Sequence, residues 1–225
     1  MLLPVSHLPF CKASSHRFID VPTCTRDVAK IKAFGINTIR TYAVNNTKTH
    51  DECIKLLADA GIYVAIDVGN TFISLNREHE YALNASYNDD YLQRIFATTE
   101  LFAKYDNTLL FFSGNEVIDT PEKSWASPYI KAVVRDTKRY LKARGLRQVP
   151  VGYSATDLPE NRFELGQYLN CGGNTASRAD FYAINDYSWC YPSSFESLDG
   201  RTRWSNGRTM GFPSYKSGRH WHNVG

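Results

Sequence analysis

The sequence predicts an α/β fold built on a parallel sheet, and three observations carry the prediction. Five apolar runs rich in β-branched and aromatic residues recur along the 225 residues. Segments with helical spacing of apolar residues separate them, and polar or acidic residues gather where the runs end. Runs without strict alternation suit strands covered on both faces, and strand–helix alternation builds right-handed βαβ units.

In chain order, a helix over 25–34 places Val28, Ile31 and Phe34 on one face, with Gly35 as its stop. The first run, INTIRTY, covers 36–42. A second helix over 51–60 turns Ile54, Leu57 and Ala58 inward and ends at Gly61, before the run IYVAID at 62–67. Longer helices are expected over 90–105 and 128–144, the latter opened by Pro128, which suits a first helical turn. Between and after them come LLFFSGN at 109–115, VPVGYS at 149–154, a short helix, and ADFYAIN at 179–185. An open doubly wound sheet and a (β/α)8 barrel both satisfy this order. The open sheet would gain from a Gly-rich phosphate loop, and the sequence has none, nor a GxSxG elbow. In a barrel, chemistry sits where strands end. The residues there are Arg40, Tyr42, Asp67, Asn115, Glu116, Ser154, Asp157, Asn185 and Tyr187, a polar, acidic and aromatic rim suited to sugars. Five strands do not close such a barrel, so an incomplete one is expected.

Composition narrows the function. The net charge is +3 with Lys and Arg scattered, which argues against a nucleic-acid partner. No CxxC or HExxH spacing occurs, so a zinc site is not expected. The triplet His220-Trp221-His222 reads as an incidental feature of the tail. Five cysteines and the sequons at Asn45 and Asn84 point to a secretory history. Residues 1–10 make no clear signal peptide, no run is long enough to span a membrane, and no apolar tail directs a lipid anchor. Glu116 is the strongest catalytic candidate. A carboxylic acid at a strand end can protonate a glycosidic oxygen, and the adjacent Asn115 can bind the sugar 2-hydroxyl. A helix-capping role for Glu116 is the plainer alternative.

The stretches CTRDVAKIKAFGINTIRTYAV, HDECIKLLADAGIYVAIDV, SLNRE, FAKYDNTLLFFSGNEV, SPYIKAVVRDTKRYL, VPVGYSATD and ADFYAINDYSWC resemble glycoside hydrolase family 72. These are the GPI-anchored β-1,3-glucanosyltransferases of fungal cell walls. The resemblance implies an α/β (β/α)8 barrel and retaining transglycosylation between β-1,3-glucan donor and acceptor chains, at the cell surface and without cofactor. It implies Glu116 as acid/base and Tyr42, Asp67, Asn115, Asp157, Arg162 and Tyr187 as substrate-binding residues. It also implies a Cys24–Cys53 disulfide, and for Cys171 and Cys190 partners further along a complete domain; Cys11 has no counterpart.

The resemblance covers about 21–195. Residues 1–20 and 196–225 depart from it, and the Ser-Glu-Tyr-Gly-Cys-like motif that would carry the nucleophile is not found; Glu196 and Asp199 are poor substitutes. The expectation is therefore a barrel lacking its first strand and last two. Expressed as written, it would not transfer glucan. A glucan-binding pseudoenzyme and a truncated product are the alternatives.

Overall fold

The computed structural model describes residues 2–4, 20–70, 73–76, 78–157 and 160–185. In order, the elements are β1 (Leu2–Pro4), α1 (Val21–Ala33), β2 (Thr38–Thr41), α2 (Asp51–Asp59), β3 (Tyr63–Asp67), α3 (Glu80–Ser86) and α4 (Asp89–Ala103). There follow β4 (Thr108–Asn115), a 3₁₀ turn (Pro121–Ala126), α5 (Ser127–Ala143), β5 (Val151–Thr156), α6 (Arg162–Asn170), a second 3₁₀ turn (Thr175–Ser177) and β6 (Tyr182–Asn185).

All strand pairs are parallel, and the sheet order is β1-β2-β3-β4-β5-β6. Each crossover steps one place in the same direction. A doubly wound sheet must reverse its order at a switch point, so this progression is that of a barrel wall. Among the described residues the wall is an open arc of six strands. One of them corrects the sequence expectation that the first strand is missing. Leu2–Pro4 pairs with β2 in the register Leu2↔Thr38, Leu3↔Ile39, Pro4↔Arg40. Three residues held by main-chain pairing are too few to leave a periodic signal, and proline is tolerated at an edge.

The helices start and stop for local reasons. The Asp20 side chain accepts from Thr23 N, and Pro22 falls in the first turn, so α1 begins four residues ahead of the sequence expectation. Gly35 and Gly61 stand at φ +68 and +73. After each, the next residue's N–H reaches back to close the helix, Ile36 to the Ile31 carbonyl and Ile62 to that of Leu57. In α5, Ile130, Val133, Val134, Thr137 and Leu141 form the buried stripe at helical spacing.

The core lies between this helical layer and strands such as β2, buried along its whole length. The short turn between α6 and β6 is pinned from outside by α5. Lys138 Nζ donates to Arg178 O at 3.1 Å and Asp180 Oδ1 at 2.6 Å, while the other Asp180 oxygen accepts from Val151 N at 2.9 Å. Those bonds hold the chain entering β6, whose far end is part of the site.

Candidate active site

The site forms at the carboxyl ends of β2 to β6, and β4 shapes it by two irregularities. The β3 pairing passes from Val64↔Thr108 to Ala65↔Leu110, leaving Leu109 unpaired and exposed. The β5 pairing passes from Phe112↔Gly152 to Asn115↔Ser154, so β4 carries one extra residue just before Asn115. A bulge bends its strand and re-aims the residues beyond it. Directly beyond this one stands Glu116, the one described non-glycine residue at positive φ, +50. Such backbone costs of order 1–3 kcal/mol and persists only where its surroundings hold it. Here Glu116 N donates to Ser154 O at 2.9 Å, and Ile118 N donates to the hydroxyl of the buried Tyr153 at 3.2 Å. The plainer helix-capping role is not what this loop shows, because an irregular segment and a 3₁₀ turn come next.

Arg40 is the centre of the floor. Its Nε and Nη2 donate to the two Asp67 oxygens, each at 2.8 Å. Nη1 donates to Ser154 Oγ at 2.9 Å and Asn185 Oδ1 at 3.1 Å, and Nη2 also to Asn115 Oδ1 at 2.9 Å. A guanidinium has five N–H donors, and five acceptors surround this one. Its plane lies between aromatic rings, 3.9 Å from the centroid of Phe112 and 4.4 Å from that of Tyr42. Arg40 and Asp67 are both nearly inaccessible, with side chains 6% and 5% exposed. Burial pushes the Asp67 carboxyl above its ordinary range, against the pull of the Arg40 charge.

Asn185 completes the floor. Its Nδ2 donates to Asn115 Oδ1 at 2.9 Å and to Glu116 Oε1 at 2.6 Å, and its Oδ1 accepts from Ser154 Oγ at 2.7 Å. Above the floor lies a cleft of about 650 Å³. Tyr42, Asp67, Asn115 and Glu116 line it, and the segment after β3 adds Asn70, Ser74, Asn76 and Glu78 as a strap. The strap is closed by paired main-chain bonds between Asn70 and Ile73, both 3.0 Å. Tyr91 reaches the cleft from α4, and burial raises its phenol, which therefore stays a neutral O–H group.

Of the residues expected at the site, Tyr42, Asp67, Asn115 and Glu116 thus meet in one cleft. Asp157 and Arg162 pair with each other at 2.9 Å, beyond its lining, at the end of β5 and the start of α6. Tyr187 lies outside the described residues, as do Cys11, Cys190, Glu196, Asp199 and the His220 triplet. Cys24 and Cys53 form a disulfide between α1 and α2, with Cα atoms 5.6 Å apart. Cys171 is exposed and free of any disulfide among the described residues. The Asn84 side chain is exposed on α3, and that of Asn45 is half-buried and accepts from Thr47. Among the described residues no cluster of three or more His, Cys, Asp or Glu could hold a metal, and no helix is long and apolar enough to cross a membrane.

The sequence set Arg40, Ser154 and Asn185 on the rim without giving them a role, and it gave none to the strap residues Asn70, Ser74, Asn76 and Glu78. The signal for Arg40 was available: an arginine inside an apolar strand needs a buried partner. The signal for the strap was the SLNRE motif, which holds Ser74, Asn76 and Glu78, but its spacing follows neither strand nor helix and so did not mark a cleft wall.

Comparison with known proteins identifies the family. Residues 11–218 match the family Glyco_hydro_72, described as Glucanosyltransferase. The chain is 51% identical over 198 residues to the 1,3-beta-glucanosyltransferase gel1 of Aspergillus fumigatus, covering 88% of this chain and 43% of that protein. It is 49% identical over 176 residues to the 1,3-beta-glucanosyltransferase GAS5 of Saccharomyces cerevisiae, covering 78% of this chain and 36% of that one. The solved structure of Saccharomyces cerevisiae Gas2p in complex with laminaripentaose superposes with a TM-score of 0.74 at 35% identity, over 84% of this chain and 42% of that chain. The chain thus spans less than half the length of these relatives. It belongs to glycoside hydrolase family 72, the glucanosyltransferases.

Proposed function

We propose that this chain carries the acid/base side of a β-1,3-glucan transfer site. The observation that carries the reading is the pairing of a strained Glu116 with Asn115 at the edge of an open polar cleft. In retaining transfer, one carboxylate attacks the anomeric carbon while an acid protonates the leaving oxygen. Glu116 is that acid, and afterwards the base that accepts the proton of the incoming glucan hydroxyl. Asn115 has its carbonyl oxygen engaged by two donors, so its Nδ2 is the atom left to bind a sugar hydroxyl. The strap residues Asn70, Ser74, Asn76 and Glu78 would meet further sugar hydroxyls in the cleft, and the Tyr42 ring would border a sugar face. The nucleophile is assigned to no described residue. Asp157 and Arg162 would act beyond this cleft, on further glucan units, and Tyr187 is a further substrate contact by the family resemblance. The Cys24–Cys53 disulfide suits an oxidising route to the cell surface, where an anchored wall-remodelling enzyme would work.

The test is to incubate the purified chain with reduced laminari-oligosaccharides and separate the products by chromatography. Products longer than the substrate support transfer, and Glu116→Gln should lower their rate by about 10²–10⁴ while laminaripentaose binding persists. Equal transfer by Glu116→Gln removes Glu116 from the role. Tight binding without longer products would leave a glucan-binding site.

A further inference from the structure

We propose that Asn185 is a positioning residue for Glu116, and that it commits Oε1 as a hydrogen-bond acceptor so that the transferable proton of the acid resides on Oε2. The inference rests on the reading of Glu116 as the acid/base.

Arg40 sets the polarity of the floor, because a guanidinium can only donate. Whatever faces Nη1 and Nη2 must present an acceptor. The Asn115 atom 2.9 Å from Nη2 is therefore its carbonyl oxygen, and so is the Asn185 atom 3.1 Å from Nη1. An amide whose oxygen is fixed has its nitrogen fixed as well. Asn185 Nδ2 must then face Asn115 Oδ1 and Glu116 Oε1, and it can only donate to both. Ser154 agrees with the same polarity: its Oγ accepts from Arg40 Nη1 and passes its own proton to Asn185 Oδ1. Every capacity of the Asn185 amide is used, two bonds donated and two accepted. No flip of that side chain preserves more than a fraction of them. The polarity that begins at a buried cation ends at one oxygen of Glu116.

The chemistry of the acid follows from that contact. A protonated carboxylic acid has one O–H, and an oxygen already receiving a 2.6 Å bond is the poorer place for it. The proton sits on Oε2, and the leaving glycosidic oxygen must be approached by that atom. Among the described residues, the charged and titratable groups around Glu116 are Arg40 of β2, Asp67 of β3, Tyr42, Glu78 of the strap, Tyr91 of α4 and Tyr153 of β5. Asn185 bonds Glu116 directly and is itself bonded by Arg40.

The discriminating variant is Asn185→Asp, which matches asparagine in shape and keeps an acceptor toward Arg40 and Ser154, but cannot donate to Glu116 when ionised. Were Asn185 only filling space, Asn185→Asp would transfer glucan like the parent. If it positions the acid, kcat should fall by about tenfold or more with KM changed less than about threefold, within the range general acid catalysis contributes. A readout independent of turnover is the side-chain amide signal of Asn185 in heteronuclear NMR of the resting chain. The Nδ2 proton that faces Glu116 should lie downfield in the parent and move upfield in Glu116→Gln, where a carboxamide replaces the carboxyl acceptor. An Asn185 signal at the same position in both overturns the proposal. So does an unchanged kcat in Asn185→Asp. Should Glu116→Gln transfer like the parent, the functional reading fails, and the NMR comparison alone then decides whether Asn185 is bonded to Glu116.

Discussion

Replacement of Arg40 by methionine tests the floor of the site most severely. Both members of the Arg40–Asp67 pair are buried, and the guanidinium serves four residues besides stacking on two rings. Loss of one partner from a buried pair costs about 3–5 kcal/mol, because the other charge stays behind without compensation. For a domain of this size, each kcal/mol moves Tm by about 2–4 °C, so a fall of about 6–20 °C is expected. Urea denaturation followed by circular dichroism gives the free energy directly, and laminaripentaose binding by calorimetry reports the cleft. The loss should also depend on pH in a set direction. Burial already raises Asp67, and without Arg40 nothing opposes it. A carboxyl raised in the folded state adds stability below its unfolded value, about 3.9, and that stability drains as pH climbs through the folded value. The Arg40→Met deficit should therefore be smaller near pH 4 than at pH 7. The double variant Arg40→Met with Asp67→Leu should recover most of the loss, since a buried pair exchanged for apolar residues is often neutral. A single variant within about 1 kcal/mol of the parent at pH 7 would refute the reasoning, because so small a cost is that of a surface pair.

Two further perturbations probe what carries the site. The Cys24–Cys53 bond closes a separation of 29 residues, for which loop-closure entropy gives about 3–4 kcal/mol; Cys24→Ser with Cys53→Ser should lose about that much by urea denaturation, and peptide mapping without reductant should find the crosslink in the parent. A Cβ on Gly152 would lie 2.3 Å from the Phe181 carbonyl oxygen and 2.7 Å from its ring, so Gly152→Ala should cost about 1–3 kcal/mol and weaken laminaripentaose binding by pushing β6, and Asn185 with it, away from β5; unchanged stability and binding would show that β6 is not held there.

By itself the sequence determined the alternation of strands and helices, the helix stops at Gly35 and Gly61, and the gathering of polar residues at strand ends. These are local: periodicity and turn chemistry act within a few residues, so they are written where they act. The motifs further implied the acid/base, its asparagine neighbour and the disulfide. Tertiary structure alone decided the rest. Leu2–Pro4 becomes a strand only because β2 offers it a parallel edge. The bulges in β4 exist only relative to β3 and β5, for within LLFFSGN nothing distinguishes the unpaired Leu109 from its paired neighbour. Asp157 and Arg162 meet each other beyond the cleft lining, a matter of where β5 ends and α6 begins. Arg40, Ser154 and Asn185 are separated by up to 145 positions, yet their polarity is set by which donor faces which acceptor across three strands. A hydrogen bond reads distance and direction in space, and neither quantity is carried by residue order.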